Sequence, residues 1–431
     1  MDSYRKHPYG PVIATVVLLG AIVGSCASLA AADWPEFRGP TRDGISTATN
    51  VPVEWSATDN VAWQQAIPGS GWSSPVLVDG KLYLTTATGT AEADDLSLRV
   101  ICVDASDGHI VWDVEAIRPD AEAAKVMHQK NSLASATPIV AGGRIYAHFG
   151  HLGTAALDLA GNVLWRQTDV HYSPQHGNGG SPALVDDLLV FSCDGEADPF
   201  IIALDATTGE ERWRTARETE ADKTFSFCTP IVIEVDGVRQ IISPGSGMAG
   251  AYDPHSGHEL WRVRYGDGFS VVPRPIYTGG KLYLCSGFIR ASLLAVDPHG
   301  ATGDVTDTNV LWKFDRGVPT TPSVLVHGDE VYFVSDNGVA TCLDVVSGDV
   351  HWTKRLGGGF SASPVFAEGR IYFTNEDGTT YVIQAGKEYE LVATNELGER
   401  ALASPAVDDG TLYLRTASHL WRIGDSIDAN R

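Results

Sequence analysis

Apolar residues along this chain fall in short alternating runs broken by Gly, Pro, Asp and Ser, the pattern of half-buried strands joined by tight turns. Leu98, Val100 and Cys102 form one such run. It leads into a phrase that recurs: a small residue, Asp two places on, Gly four after that, and Trp four later. Residues 102–112 (CVDASDGHIVW), 203–213 (ALDATTGEERW), 251–261 (AYDPHSGHELW) and 342–352 (CLDVVSGDVHW) carry it in full. Residues 156–165 (ALDLAGNVLW) are one residue short, and 295–312 enlarge the turn. Asp bonds its own turn and Gly supplies the positive φ that closes it, so the phrase predicts a β-hairpin whose return strand ends on an indole. The small first residue leaves room for an indole, expected from a neighbouring unit. Trp112, Trp165, Trp213, Trp261, Trp312 and Trp352 are therefore read as packing residues, not ligand contacts.

A second phrase precedes the first: Ser or Thr, Pro, an apolar strand, a tight turn and a second apolar strand, as in residues 73–84 (SSPVLVDGKLYL) and 180–191 (GSPALVDDLLVF). Its prolines are Pro75, Pro138, Pro182, Pro230, Pro275, Pro322, Pro364 and Pro405. Pro suits a strand start, where its missing N–H is not needed by the ladder. Repeats at roughly this 40–50-residue period build radial or linear arrays. The eighth unit stops at residues 420–424 (LWRIG) without a fourth strand, and residues 60–67 (NVAWQQAI) offer one with a Trp in place. The expected fold is all-β: an eight-bladed β-propeller of four-stranded antiparallel blades over residues 60–424, its ring closed by the N-terminal strand, leaving only short edges. Helical periodicity is confined to the N-terminal segment and residues 116–130.

Residues 1–32 read as a signal peptide: Arg5 and Lys6, an apolar stretch over 11–24, and Ala30-Ala31-Ala32 before Asp33. The apolar stretch is short for a membrane span. Val23-Gly24-Ser25-Cys26 offers a rival, lipidation at Cys26. Cleavage after Ala32 is favoured because the A-x-A site abuts a structured-looking segment. Either way the protein is expected in the periplasm or cell envelope, or secreted. Residues 33–59 form an N-terminal arm and 425–431 a tail.

A formal net charge of −23 speaks against nucleic acid and anionic headgroups as partners. Membrane contact is then expected only through a lipidated Cys26, and the protein is read as a monomer. Removal of residues 1–32 leaves Cys102, Cys193, Cys228, Cys285 and Cys342, an odd number with no C-x-x-C and no adjacent pair. Cys102 and Cys342 stand at the small position of the repeated phrase, as packed thiols in place of Ala.

In a propeller, the connection into the first strand of each blade shares a face with its second-to-third loop, and the Asp-Gly turns lie opposite. The loop-rich face is the expected functional one. Around blades two and three it carries His128, Lys130, Asn131, His148, His151, His171, His176 and Asn178. A metal site needs three or four convergent ligands, and loop histidines bonded to backbone are the simpler reading. Blades four and five add Phe225, Phe227, Met248, Phe269, Arg274, Phe288 and Arg290, a set able to grip a planar or carboxylate ligand, plug the channel or anchor a protein. His128, Asn131, His176, Asn178, Phe227, Arg274, Phe288 and Arg290 are the candidate ligand- or partner-binding residues; no catalytic or metal residue is assigned. No G-x-S-x-G occurs, and residues 245–250 (GSGMAG) lie between strands, not before a helix.

The Trp phrase repeated with these Pro phrases resembles the tryptophan-docking repeat of the pyrroloquinoline quinone (PQQ) propellers, over residues 60–424. Residues 33–40 (DWPEFRGP), 286–298 (SGFIRASLLAVDP) and 415–423 (RTASHLWRI) resemble signatures of exported bacterial PQQ-like repeat proteins. The dehydrogenase branch implies PQQ over a Trp floor beneath an adjacent-Cys disulfide, with calcium held by Glu, Asn and Asp. The adjacent Cys pair is missing here. The branch similar to the BamB outer-membrane assembly lipoprotein keeps the blades without the cofactor. The resemblance thus implies an exported, non-catalytic scaffold binding an envelope protein, a peptide or a small ligand, with no cofactor. The alternatives are a PQQ- and calcium-dependent dehydrogenase of alcohols or sugars, and a carbohydrate or small-ligand binding module.

Overall fold

The computed structural model describes residues 1–2, 33–90, 93–125 and 127–424. The signal-peptide, Cys26 and tail assignments lie outside the described residues. Eight antiparallel sheets follow one another around a ring. Blade 1 consists of Val76–Val78, Lys81–Thr88, Ser97–Asp104 and Ile110–Ile117. Blades 2 to 7 repeat this meander over residues 139–167, 183–216, 231–264, 276–314, 325–355 and 365–396. Blade 8 takes Ala406–Asp408, Thr411–Arg415 and His419–Ile423 from the C-terminal end and its outer strand, Val61–Ala66, from the N-terminal end. This is the ring closure expected. Among the described residues of 116–130, the helical structure is a single 3-10 turn, Ala123–Lys125.

The repeated phrase works as follows. Asp104, Asp205, Asp253 and Asp344 each accept backbone N–H bonds from their own turns. Gly108, Gly209, Gly257 and Gly348 have φ between +69° and +80°. Register pairs each small residue with the Trp of its own hairpin, Cys102 with Trp112 and Ala203 with Trp213, and not with a neighbour's. On the other flank of the small residue lies a second-strand Tyr in several blades. Over Cys102 the rings of Tyr83 and Trp112 come within 6.1 Å, and over Ala295 those of Tyr283 and Trp312 within 6.0 Å.

The neighbouring unit supplies the glycine. A Cβ on Gly209 would lie 2.6 Å from the Trp165 ring, and one on Gly257 2.4 Å from Trp213. Each indole N–H then donates to a carbonyl of the same neighbouring turn: Trp63 to Ala105, Trp112 to Leu159, Trp165 to Ala206, Trp213 to Pro254, Trp312 to Val345 and Trp352 to Gly386, at 2.8–3.2 Å. Two blades depart from this rule. Trp261 meets the enlarged turn of blade 5, whose residues 303–304 pair with its strand, and its N–H goes to Gln240 Oε1 at 2.7 Å. Blade 7 has Ala393 opposite Val382, where a Trp is expected. Trp55 of the arm stacks on Tyr372 there, at 6.4 Å and 17°.

The Ser/Thr-Pro phrase makes a second ring, around the channel. The backbone N–H of the residue two places before each inner strand donates to the hydroxyl of its counterpart in the next blade: Ser74 to Thr137, Thr137 to Ser181, Ser181 to Thr229, Arg274 to Ser323, Ser323 to Ser363, Ser363 to Ser404 and Ser404 to Ser74, all at 2.8–3.1 Å. The link missing from this crown is Thr229 to Arg274, where the fifth blade offers no hydroxyl. In blade 6, Ser323-Val324 occupies the Ser-Pro place, and Pro322 stands one residue early.

Gly257 is held by two demands, its φ of +69° and the Trp213 ring against its Hα; Gly237 has φ +77° and open space around it. A left-handed backbone costs an L-residue about 1–2 kcal/mol, and overpacking adds about 1–3 kcal/mol. Gly257→Ala is therefore expected to lower the denaturant midpoint well beyond Gly237→Ala. Equal losses would show that indole docking adds nothing to the turn requirement.

Candidate functional site

The channel is closed from within by the N-terminal arm. Trp34 exchanges backbone bonds with Leu77 of blade 1, and Pro35 O accepts from Val140 of blade 2. Glu36 Oε2 meets Arg274 Nη2 of blade 5 at 2.9 Å, and the Arg274 guanidinium also donates to Phe37 O. Arg38 reaches Val324 O (2.9 Å) in blade 6 and Pro364 O (3.2 Å) in blade 7. The chain then passes blades 7 and 8 through Ser46 and Thr49. Burial lowers the pKa of Arg274, against the charge of Glu36. Arg274, 1% exposed, is thus part of the plug and not of the mouth. It stands where the crown lacks a hydroxyl, with its guanidinium turned to Glu36, Phe37 O and Pro230 O.

Above the plug lies a blind cavity of about 610 Å³ on the loop-rich face. Its floor is Phe37 and the crown hydroxyls. One wall is an aromatic arc. His128 meets His176 edge-on at 5.2 Å, His176 meets Phe225 at 5.2 Å, Phe225 meets Phe269 at 5.2 Å and Phe269 meets Phe288 at 5.7 Å. Phe227 packs beside His176 and Phe225. Burial lowers the His176 pKa, and the neighbouring His128 charge lowers it further. Lys223 covers the Phe269 face at 4.6 Å. The opposite wall is polar. Lys130, from the loop before blade 2, crosses to Glu376 of blade 7 at 2.7 Å, and Ser361 also bonds Glu376. Burial opposes the charge on Glu376, but the Lys130 and Ser361 bonds and the Arg400 charge outweigh it and hold its pKa low. Asp336 accepts from Thr320 N and Oγ1.

Of the expected residues, His128, Asn131, His176, Phe227 and Phe288 line this cavity. Asn131 and Asn178 spend their amides on loop geometry: Asn131 donates to His176 O and Asn178 O, and Asn178 to Gly180 O. Arg290 lines an adjoining cavity of about 1010 Å³ with Ile289 and Lys313. Met248 is buried in blade 4, its carbonyl bonded by Tyr265. The histidines do not converge. His171 is exposed, His151 bonds Ala123 O, and His148 is buried behind the arc against Phe191 (4.2 Å) and Thr154 Oγ1 (2.8 Å). Among the described residues, the group close enough to share a metal ion is Asp104, Asp107 and His109, on the opposite, Asp-Gly face.

Phe37, Lys223, Asp336 and the crown lie outside the residues that the sequence alone points to. The signal for the crown stands in the repeated Ser or Thr before Pro. Behind the arc, Arg217 Nε sits 2.9 Å from Asp194 Oδ1, both side chains buried. Burial raises the Asp194 pKa to about 6, with Arg217 opposing the shift. Asp194 O accepts from Ser226 N, and Gly195 O from Thr224 Oγ1, so this pair anchors the loop that carries Phe225 and Phe227.

Fold and site together define a tryptophan-docked, eight-bladed propeller with a plugged channel and an aromatic-lined mouth. The chain belongs to the family described as outer membrane protein assembly factor BamB, which matches residues 45–178, 153–310 and 291–420. The crystal structure of BamB from Moraxella catarrhalis is similar, at 15% identity over 84% of this chain and 98% of that one, with a TM-score of 0.58. A europium-containing methanol dehydrogenase is similar at 11% identity over 90% of each chain, with a TM-score of 0.66. Both likenesses are of fold. No curated protein matches in sequence.

Burial pushes the His148 pKa down to about 3. Between pH 6.5 and 3 the unfolded chain therefore binds a proton that the folded chain refuses, so stability falls as pH falls, by up to about 1.4 kcal/mol per pH unit. In His148→Asn the slope of unfolding free energy against pH over this window is expected to be shallower by up to that amount. An unchanged slope would show that His148 does not contribute to acid lability.

Proposed function

We propose that this chain is an exported, non-catalytic scaffold of the cell envelope that receives a protein partner at the rim of its mouth. The observation that carries this reading is the tip of the blade 5 loop. Phe288 and Ile289 are 54% and 63% exposed, and Ile289 has φ +82°. A β-branched residue in the left-handed region is strained, and such strain gathers at functional sites. The tip is nevertheless held: Phe288 N donates to Phe269 O at 2.7 Å, and Ser286 N to Ser292 O at 2.9 Å. Two apolar side chains fixed in solvent beside Arg290 make an anchor for a protein surface. Membership of a family described as an assembly factor supports the same reading.

The dehydrogenase alternative finds little support at the mouth. Its floor is Phe37 and hydroxyls in place of a Trp, and the five described cysteines are separate free thiols. Asp336 and Glu376 are already engaged by Thr320, Lys130 and Ser361, and the amides of Asn131 and Asn178 by loop carbonyls. These residues do not supply the donor set that PQQ and calcium require, and no hydride transfer is derived for this chain.

A photo-reactive amino acid at Phe288, introduced in the native host, is expected to give a discrete crosslinked adduct. The control position is Val346, 67% exposed on the Asp-Gly face. No adduct from position 288 above that from 346 would overturn the proposed rim.

A further inference from the structure

The crown leaves unused chemistry at the bottom of the mouth. Its seven hydroxyls each accept a backbone N–H, and among the described residues none donates its own proton to a protein acceptor. All seven side chains are 1–5% exposed, and all face the cavity. Buried O–H donors need acceptors, since leaving one unmade costs about 1–3 kcal/mol. An apolar ligand would strand them. The walls above, by contrast, are faces of Phe225, Phe227, Phe269 and Trp72, with Phe37 rising from the floor.

Charge narrows the ligand further. Lys130 is paired with Glu376, and the Lys223 ammonium lies over the Phe269 ring. Asp336 is bonded twice by Thr320, and Arg400 sits over Trp72 at 5.6 Å. Each charge at the mouth is already in contact with a protein group, and the chain as a whole carries −23. A charged ligand would have to displace one of these contacts, whereas a neutral one displaces none. The occupant that fits has many acceptor oxygens, no net charge and flat C–H faces for the rings. We infer that the mouth is a binding site for a short neutral saccharide, whose oxygens take the crown's O–H donors and whose faces lie on Phe37 and the aromatic arc. About 610 Å³ is within the range that encloses a small ligand. The site lies below the rim proposed for a protein partner, so the two can be lost separately.

Purified chain is to be titrated calorimetrically with cellobiose, maltose and N,N′-diacetylchitobiose, with citrate and inorganic phosphate in parallel. At least one disaccharide is expected to bind and to raise Tm in proportion to its concentration. Ser363→Ala removes one donor and is expected to weaken that binding about tenfold, the worth of one hydrogen bond. Phe288→Ala, on the rim, is expected to leave it within about twofold, well below one hydrogen bond. Should Ser363→Ala lose its cooperative melting transition, Trp72→Leu serves in its place, since Trp72 lies on the wall outside the crown. No binding by any of the three disaccharides at millimolar concentration would overturn the inference. So would binding of citrate or phosphate in their stead, or full affinity in folded Ser363→Ala.

Discussion

The contact on which the ring depends is an indole laid on a glycine. Trp165, Trp213 and Trp312 each close their own hairpin against an Ala, and their rings meet Gly209, Gly257 and Gly348 of the next blade's turn, where a Cβ would overlap them. Each indole N–H then bonds a carbonyl of that same turn. One side chain therefore does three things: it finishes a strand pairing, packs two sheets and satisfies a turn carbonyl. Because the contact passes from blade to blade, an imperfect unit must be repaired from elsewhere. The enlarged turn of blade 5 covers Trp261, and Trp55 comes in from the arm to serve blade 7.

A second ring answers the first on the inside. Outer indoles fix the spacing of the blades, and inner hydroxyls fix their approach to the channel. The break in the inner ring falls where Arg274 replaces Ser or Thr, and there the arm is held by Glu36 and Phe37. A buried guanidinium needs an opposing charge and several acceptors to be tolerated. The arm provides them and in doing so turns a through channel into a blind cup. Closure of the ring and closure of the channel thus come from one segment, residues 34–66. That coupling gives the mouth a rigid floor, which a binding site on loops otherwise lacks.

Much of this architecture was legible in one dimension. Period, turn chemistry and alternation are local properties, so the eight blades, the Asp-Gly turns and the closing strand could be read directly from the order of residues. The site was legible only in part. His128, His176, Phe227 and Phe288 were placed on the correct face because propeller connectivity sorts loops by their position in the repeat. Arg274 misled, since an Arg before Pro275 looks like any other loop residue until the arm's carboxylate is seen beside it. The histidines follow the simpler reading: five share one face without converging, His148 lying behind Phe191 and His151 turning to Ala123 O.

What the sequence by itself determined was the repeat: the number of blades, the kind of turn and the identity of the packing residues, because each follows from contacts within about a dozen neighbours in the chain. What only the tertiary structure decided was the cavity. Its floor joins Phe37 to hydroxyls drawn from seven blades, and its walls join a Lys of blade 2 to a Glu of blade 7. Such groups meet only when the ring closes, and nothing in their local spacing announces it. The physical reason is range: a turn is settled by its own residues, whereas a shared mouth is settled by the closure of the entire ring.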